Sequence, residues 1–270
     1  MKTANKTDLK QGESAAGRTR VLLYDLESAP YIGYTWGKWE QNVIQFIEER
    51  YIISFAYKWL GEKKVHVVSL PDFSGYKKDR KNNKALVQKL HDLLDQADIA
   101  VGHNVMDFDD KVANTDFLVH DMKPTLPHKC VDTLKILRSK FALSSNKLDD
   151  ACARLKIGRK VKHPGFEMWL GCLAGDKKSW ALMRKYNAMD VVLLEKLYLR
   201  IRAWHTGHPN MLPSSTALFA CKTCKSTNLQ GRGWTRTKLG EKQRFQCNDC
   251  GVWSTSTWVG KKEKKELRLR

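Results

Sequence analysis

The sequence lacks any long apolar run. No stretch of roughly 18 apolar residues, the length that a transmembrane helix needs, occurs among its 270 residues. Residues 1–20 are polar throughout and lack the apolar segment of a signal peptide. We therefore expect no membrane partner and a cytoplasmic location, where the seven cysteines stay reduced or bind metal rather than form disulfides.

Acidic residues are few beside basic ones. The chain has 48 Lys and Arg against 29 Asp and Glu, which gives a net charge of +19. The excess is strongest in residues 211–270, with 13 basic and 4 acidic residues. Because each phosphate contact releases counterions, such a surface is typical of a protein that binds nucleic acid. A merely basic soluble protein is the alternative.

The acidic residues of three separated segments stand where their side chains would converge. Asp25 and Glu27 end an apolar run, and residues i and i+2 of a strand share a face. Tyr186 and Asp190 are four residues apart in a helical segment and also share a face. Two carboxylates about 4 Å apart repel by roughly 4 kcal/mol at an effective dielectric constant of about 20. With Asp109 added, the group requires cations, and two divalent ions would create a site for attack on a phosphodiester.

These segments resemble the motifs of the DEDDy class of 3′–5′ exonucleases. The first matches as Asp25-Leu26-Glu27, the second as His103-Asn104 with Phe108-Asp109, and the third as the Tyr-x-x-x-Asp spacing of Tyr186 and Asp190. The similarity extends from about Val21 to Pro209 and includes stand-alone nucleases of phages and bacteria that carry a C-terminal cysteine module. It implies an α/β fold, a ribonuclease H-like mixed five-stranded sheet flanked by helices. The location would be the host-cell cytoplasm if a phage encodes the chain.

The resemblance also implies a role for each residue of the motifs. Asp25 would bridge two Mg²⁺ or Mn²⁺ ions, while Glu27 and Asp190 would complete the site of the attacking water. Asp109 would hold the second ion beside the leaving group; Phe108-Asp109 fits the aromatic-Asp pattern better than Asp107 or Asp110 does. Tyr186 would orient the water, because a phenol with a pKa near 10 is a better positioner than a base. We expect His103 and Asn104 to organise a turn rather than bind metal.

Hydrophobic periodicity predicts the elements between the motifs. It indicates strands near 20–26, 51–57, 65–70, 98–102 and 129–132, and helices near 83–96, 109–120, 133–140, 147–155 and 177–204. The aromatic stretch from Tyr31 to Trp39 predicts a hairpin or an irregular insertion, and its role stays open between packing and stacking on unpaired bases.

Four cysteines near the C-terminus have the spacing of a zinc ribbon. Cys221 and Cys224 form one CxxC pair and, 22 residues later, Cys247 and Cys250 form another. Four thiolates fill the tetrahedral coordination sphere of one Zn²⁺, so the site would be structural. Redox-active or free cysteines are the alternative. Cys130, Cys152 and Cys172 are expected to be core thiols.

The ribbon also carries residues suited to phosphates and bases. The candidate nucleic-acid contacts are Trp36 and Trp39 in the aromatic stretch, and Arg232, Trp234, Arg236, Lys238 and Arg244 in the ribbon. Changes of composition divide the chain into a disordered leader (1–19), an exonuclease domain (20–210), a linker (211–220), the ribbon (221–260) and a basic tail (261–270).

The leading function is therefore a two-metal-ion 3′–5′ exonuclease with a ribbon that grips nucleic acid, DNA ahead of RNA. Two alternatives stay open: a structure-selective endonuclease with the same site, and a nucleic-acid-binding adaptor whose nuclease body is vestigial. A protein partner could also dock on the ribbon. The sequence decides neither end preference nor oligomeric state.

Overall fold

The computed structural model describes residues 19–39, 42–212 and 219–256. The predicted basic tail lies outside these residues, as do most of the predicted leader and linker and the last residues of the predicted ribbon. The chain divides into a larger compact unit, Arg20–His205, and a smaller one that contains the described residues from Thr206 onward together with Thr19. No helix among the described residues is long and apolar enough to cross a bilayer.

The larger unit contains a mixed five-stranded sheet. The strands of this sheet are β1 (Val21–Ser28), β4 (Ile52–Trp59), β5 (His66–Ser69), β6 (Ile99–Gly102) and β7 (Lys129–Asp132), while β2 (Ile32–Tyr34) and β3 (Gln45–Glu48) form a separate pair. The sheet has the order β5-β4-β1-β6-β7, in which β4 is antiparallel to β1 and β5, and β6 is parallel to β1 and β7. This is the ribonuclease H-like fold that the sequence predicted.

Helices cover the sheet. They are α1 (Lys84–Leu94), α2 (Asp109–Val119), α3 (Thr133–Lys140), α4 (Leu148–Arg154), α5 (Glu167–Ala174) and α6 (Lys177–Ile201). The sequence did not predict α5, since it is short and follows a Pro- and Gly-containing segment. α5 packs closely against α6 at Gly171, where an added Cβ would lie 2.1 Å from Oγ of Ser179.

The alternation of β1 separates core from site. Leu22, Tyr24 and Leu26 belong to the buried core that α1 and α2 also contribute to. The residues between them therefore point to the other face of the sheet, against which α6 packs. This alternation directs Asp25 and Glu27 towards the third predicted motif.

A two-stranded hairpin extends from the end of β1. β2 pairs antiparallel with β3, and at their base the rings of Tyr31 and Phe46 lie 5.0 Å apart. Beyond the strands, Trp36 and Trp39 are each 86% exposed. The aromatic stretch thus adopts the hairpin, one of the two forms that the sequence allowed, and presents large rings at the surface.

The smaller unit is a three-stranded antiparallel sheet. β8 (Leu229–Thr237), β9 (Gly240–Cys247) and β10 (Trp253–Thr255) are arranged in the order β10-β9-β8. Its apolar interior is small, with Phe245 buried and its ring 4.9 Å from that of Phe219. A sheet with so little core needs a further source of stability, such as a metal ion.

Candidate active site

Three predicted carboxylates converge at the end of β1. One carboxylate oxygen each of Asp25, Glu27 and Asp190 lies within 4.8 Å of the other two. β1 supplies the first two side chains and α6 supplies the third. Asn187 lies one turn before Asp190 on α6 and links this helix to β1. Its Nδ2 donates to Oδ2 of Asp25 at 2.9 Å and to the Asp25 carbonyl at 3.2 Å. Strand and helix are thereby joined at the carboxylates.

The fourth predicted carboxylate lies beside this group. Asp109 is the first residue of α2, it is buried, and its Oδ1 accepts a hydrogen bond of 3.0 Å from the backbone N–H of Leu26. It is not one of the three carboxylates that share the 4.8 Å spacing. Its charge nevertheless contributes to raising the pKa of Asp25, so the two are electrostatically coupled.

A lysine that the sequence did not predict reaches into the site. Nζ of Lys160 lies 2.6 Å from Oδ2 of Asp190 and donates to the hydroxyl of Tyr186 at 3.1 Å. Its backbone N–H is held by Oδ1 of Asp149 at 2.7 Å, which fixes the loop between α4 and α5. No motif of the sequence includes Lys160, which stands in a basic run, 159–162, of a kind that is usually solvated.

Tyr186 is enclosed by aromatic rings. The His163 ring lies 4.8 Å from its centroid and the Trp169 ring 6.1 Å, both near perpendicular to it. Trp169 belongs to α5, so the helix that the sequence missed forms one wall of the site. Burial, followed by the charge of Asp190, raises the pKa of Tyr186 above its usual value. The phenol therefore stays protonated and can position a water.

The carboxylates resist ionisation. Burial, followed by Asp109, Asp190 and Glu27, raises the pKa of Asp25 well above its usual value. Burial and then the charge of Asp190 raise the pKa of Glu27 to about 8. Burial raises the pKa of Asp109 to about 7, against hydrogen bonds to its carboxylate that lower it. Lys160 opposes part of this charge, since its ammonium lowers the pKa of Asp190 while burial raises it.

The donor set fits a divalent ion. All of the ligand atoms are carboxylate oxygens, which Mg²⁺ and Mn²⁺ prefer. Oδ1 of Asp190 is buried and has no hydrogen-bond partner among the described residues. A buried acceptor without a partner is costly, and a cation would satisfy it.

His103 and Asn104 form a turn. Nε2 of His103 donates to the carbonyl of Asn146 at 3.0 Å, and Nδ1 lies 2.9 Å from Oγ1 of Thr133. Asn104 has φ 69°, a left-handed conformation that Asn tolerates better than most residues. Both ring nitrogens are used within the protein, so neither is directed at the carboxylates. Burial lowers the pKa of His103 to about 4, which keeps the ring neutral.

The four cysteines of the predicted ribbon meet at one point. All four sulfur atoms lie within 4.8 Å of one another. The Cys221–Cys250 and Cys224–Cys247 sulfur pairs are each 3.6 Å apart. Tetrahedral Zn²⁺ with Zn–S bonds of about 2.3 Å requires S–S separations of about 3.8 Å. The residues therefore fit a structural zinc ion.

The two halves of this cluster are similar turns. Lys225 and Gly251 each follow the second cysteine of a CxxC pair, and both have positive φ, 67° and 79°. Their backbone N–H groups donate to the carbonyls of Cys221 and Cys247, each at 2.8 Å. Lys225 adopts this conformation despite a cost of about 1–2 kcal/mol for a side chain there. In the sequence only the second CxxC pair is followed by glycine, so the sequence did not indicate that the two turns are alike.

The predicted nucleic-acid contacts are at the surface. Besides the two hairpin tryptophans, Arg232, Arg236, Lys238 and Arg244 are exposed and Trp234 is half-buried on the sheet of the smaller unit. Arg236 lies 3.6 Å from Glu241. These positions leave cationic and aromatic groups accessible to a ligand.

Part of the chain matches a known protein family. Residues 75–167 match the RNase_T family model, described as Exonuclease, a segment that contains Asp109 but not the other three carboxylates. A search of curated proteins finds no match. The family match confirms the resemblance to DEDD-type exonucleases.

A solved structure shares the fold. The family B DNA polymerase from the hyperthermophilic archaeon Pyrobaculum calidifontis aligns with a TM-score of 0.51 and 14% identity, over 68% of this chain. The alignment covers 25% of the polymerase, and at this identity it shows the fold alone. The exonuclease match and this fold together support a nuclease that acts on nucleic acid.

Protons should compete with metal at the carboxylates. With the pKa of Glu27 near 8 and that of Asp109 near 7, each side chain holds a proton for part of the time at neutral pH and loses it as the pH rises. Because ions bind the deprotonated forms, the apparent Mn²⁺ affinity should increase at least about tenfold from pH 6 to pH 8.5. Titration calorimetry in two buffers of different ionisation enthalpy measures affinity and proton release. Affinity that is independent of pH, without proton release, would contradict the assignment. Glu27→Gln should flatten the dependence.

Proposed function

We propose that this chain is a metal-dependent nuclease that removes nucleotides from the 3′ end of a nucleic acid. The observation that carries the proposal is the convergence of Asp25, Glu27 and Asp190, with Asp109 and Tyr186 beside them. The match of residues 75–167 to an exonuclease family supports it. The similar polymerase acts on DNA by its name, which favours DNA over RNA as the substrate.

The residues would act by holding ions and positioning water. Asp25, Glu27 and Asp190, together with Asp109, would hold two Mg²⁺ or Mn²⁺ ions. When bound, these ions supply Lewis-acid stabilisation of the attacked phosphodiester and of its leaving oxygen. Asn187 keeps the Asp25 carboxylate in place through its 2.9 Å hydrogen bond.

Tyr186 and Lys160 would organise the attacking water. The hydroxyl of Tyr186 stays protonated and can hold the water in line with the phosphorus atom. Burial alone lowers the pKa of Lys160, but Asp190 and Tyr186 raise it above its usual value, so its ammonium remains charged. Burial raises the pKa of Asp190, and the charge of Lys160 opposes this shift.

The remaining parts would grip the substrate. The proposed domains are the exonuclease domain (20–210), the linker (211–220) and the ribbon (221–260), with one Zn²⁺ on the four cysteines. The ribbon and the aromatic hairpin would contact phosphates and bases. A protein partner for the ribbon is the alternative. We infer a cytoplasmic location.

The function is tested directly with end-labelled substrates. Wild-type protein in Mg²⁺ should shorten a 5′-labelled single strand one nucleotide at a time, and release only mononucleotide from a 3′-labelled one. Excess EDTA should abolish both. Asp25→Asn should lower turnover by about 10³-fold or more, at the scale of lost transition-state electrostatics. Asp92→Asn, which changes an exposed carboxylate on α1, is the matched control and should retain activity. Internal cuts as first products would favour the endonuclease, and no cleavage with tight binding would favour the adaptor.

Tyr186→Phe tests the positioning role. Loss of the hydroxyl should lower kcat by about 10²-fold with little change in KM, because the group acts on the water rather than on substrate binding. Tyr57→Phe, a tyrosine on β4 that stacks on His66, is the control. Unchanged kcat would make Tyr186 a packing residue between Trp169 and His163.

We expect the exposed basic residues of the ribbon to contribute to the salt dependence of nucleic-acid binding. Replacing the exposed Arg232, Lys238 and Arg244 by Ala should weaken binding and reduce the slope of log K against log salt, by about 0.7 for each phosphate of a single strand that is no longer neutralised. Ala at the exposed Lys63, Lys64 and Lys84 removes the same charge from the larger unit and should leave the slope nearly unchanged. Equal effects of the two triple variants would show that only net charge matters, and the ribbon would then be the site for a protein partner.

A further inference from the structure

A second mixed group of metal-ligating side chains lies outside the carboxylate site. One ligand atom each of Asp110, His128 and Cys130 lies within 4.8 Å of the other two. Asp110 is in the first turn of α2, Cys130 is in β7, and His128 immediately precedes that strand. Cys130 was expected to be a core thiol, but it is only half-buried, and its Sγ donates to Oδ2 of Asp110 at 3.1 Å.

The tautomer of His128 leaves one ring nitrogen able to bind a metal. Nδ1 of His128 lies 3.2 Å from the carbonyl oxygen of Leu126. A carbonyl oxygen only accepts, so Nδ1 carries the hydrogen, and Nε2 is the ring nitrogen that keeps a lone pair. Histidines that bind metals almost always donate their other N–H to a carbonyl or a carboxylate in this way.

The charges suit a divalent ion. The hydroxyl of Tyr24 donates to Oδ1 of Asp110 at 2.5 Å, which holds the carboxylate in place. Cysteine binds metal ions as its thiolate, so an ion that binds Cys130 displaces the thiol proton. The ligands of the bound ion are then one thiolate, one carboxylate and one neutral imidazole. The two negative charges of the thiolate and the carboxylate balance the two positive charges of the ion.

We propose that Asp110, His128 and Cys130 bind a zinc-class transition-metal ion. The mixed oxygen, nitrogen and sulfur donors select Zn²⁺ or Co²⁺ over Mg²⁺, which prefers oxygen ligands alone. Binding forms three bonds to the ion and releases the thiol proton of Cys130 to solvent. The fourth tetrahedral position is left to water.

This ion would clamp β7 to the first turn of α2. Asp110 follows Asp109, and Tyr24, which donates to Asp110, precedes Asp25 in β1, so both residues are next in sequence to a carboxylate of the candidate active site. The side chains of Tyr24 and Asp25 point to opposite faces of the sheet. The cluster is therefore a separate site that supports the backbone of the carboxylates, and it does not rest on the proposed function.

The test uses the full chain loaded with one equivalent of Zn²⁺, in excess Mg²⁺. The four cysteines of the ribbon take up this zinc and keep it against the more weakly bound Co²⁺, while Mg²⁺ occupies oxygen ligands. Added Co²⁺ should then produce one equivalent of a thiolate-to-cobalt charge-transfer band. His128→Ala and Cys130→Ser should each lose this band, and separate samples of these variants that are saturated with Zn²⁺ and then dialysed should hold one zinc ion per chain fewer than the wild type. His66→Ala, a partly exposed histidine elsewhere in the larger unit, is the matched control and should keep both.

The outcomes separate the sites. A band that survives in both His128→Ala and Cys130→Ser, or that never forms, overturns the proposal. Loss of the band in Cys221→Ser but not in His128→Ala would assign it to the ribbon and also overturns the proposal. Circular dichroism of the variants establishes that they are folded. Because His128 precedes the strand, its substitution leaves the β6–β7 pairing in place.

Discussion

Repulsion among the carboxylates at the end of β1 is the constraint on which the rest of the structure depends. Each pair at about 4 Å costs roughly 4 kcal/mol at an effective dielectric constant of about 20. Carboxylate oxygens of Asp25, Glu27 and Asp190 lie within 4.8 Å of one another, and a single ammonium, Lys160, faces them among the described residues. Packing of α6 against β1 through Asn187 holds the charges together rather than letting them separate. The fold thus maintains a concentration of carboxylates whose charge bound cations or protons would neutralise.

Local periodicity made much of the fold and of the site predictable. Alternation in a strand placed Asp25 and Glu27 on one face, and the helical repeat placed Tyr186 and Asp190 on another. The five strands and most helices were predictable for the same reason. Lys160 was not, because a long side chain in a loop between α4 and α5 reaches the site only through tertiary folding. The α5 helix was also missed, and with it the Trp169 wall.

Adjacent residues can have separate roles that spacing does not reveal. Asp107 is exposed and lies 3.3 Å from Lys135, whereas Asp109 is buried against the backbone of Leu26. Asp110 turns to Tyr24 instead. These three carboxylates are nearly equivalent in sequence, and only the family pattern selected Asp109. The first turn of α2 therefore serves the carboxylate site with one residue and the proposed transition-metal site with the next.

We expect the carboxylate cluster to destabilise the metal-free protein. Ionisation of groups with raised pKa values opposes folding, and this penalty is largest above the folded-state pKa. Calorimetry at pH 8.5 should show that Asp25→Asn, whose amide oxygen still accepts from Asn187, unfolds at a higher temperature than the wild type without divalent ions. Each kcal/mol corresponds to about 2–4 °C. Mn²⁺ should raise the wild-type midpoint and affect the variant much less. A lower midpoint for metal-free Asp25→Asn, or an equal response to Mn²⁺, would contradict the account.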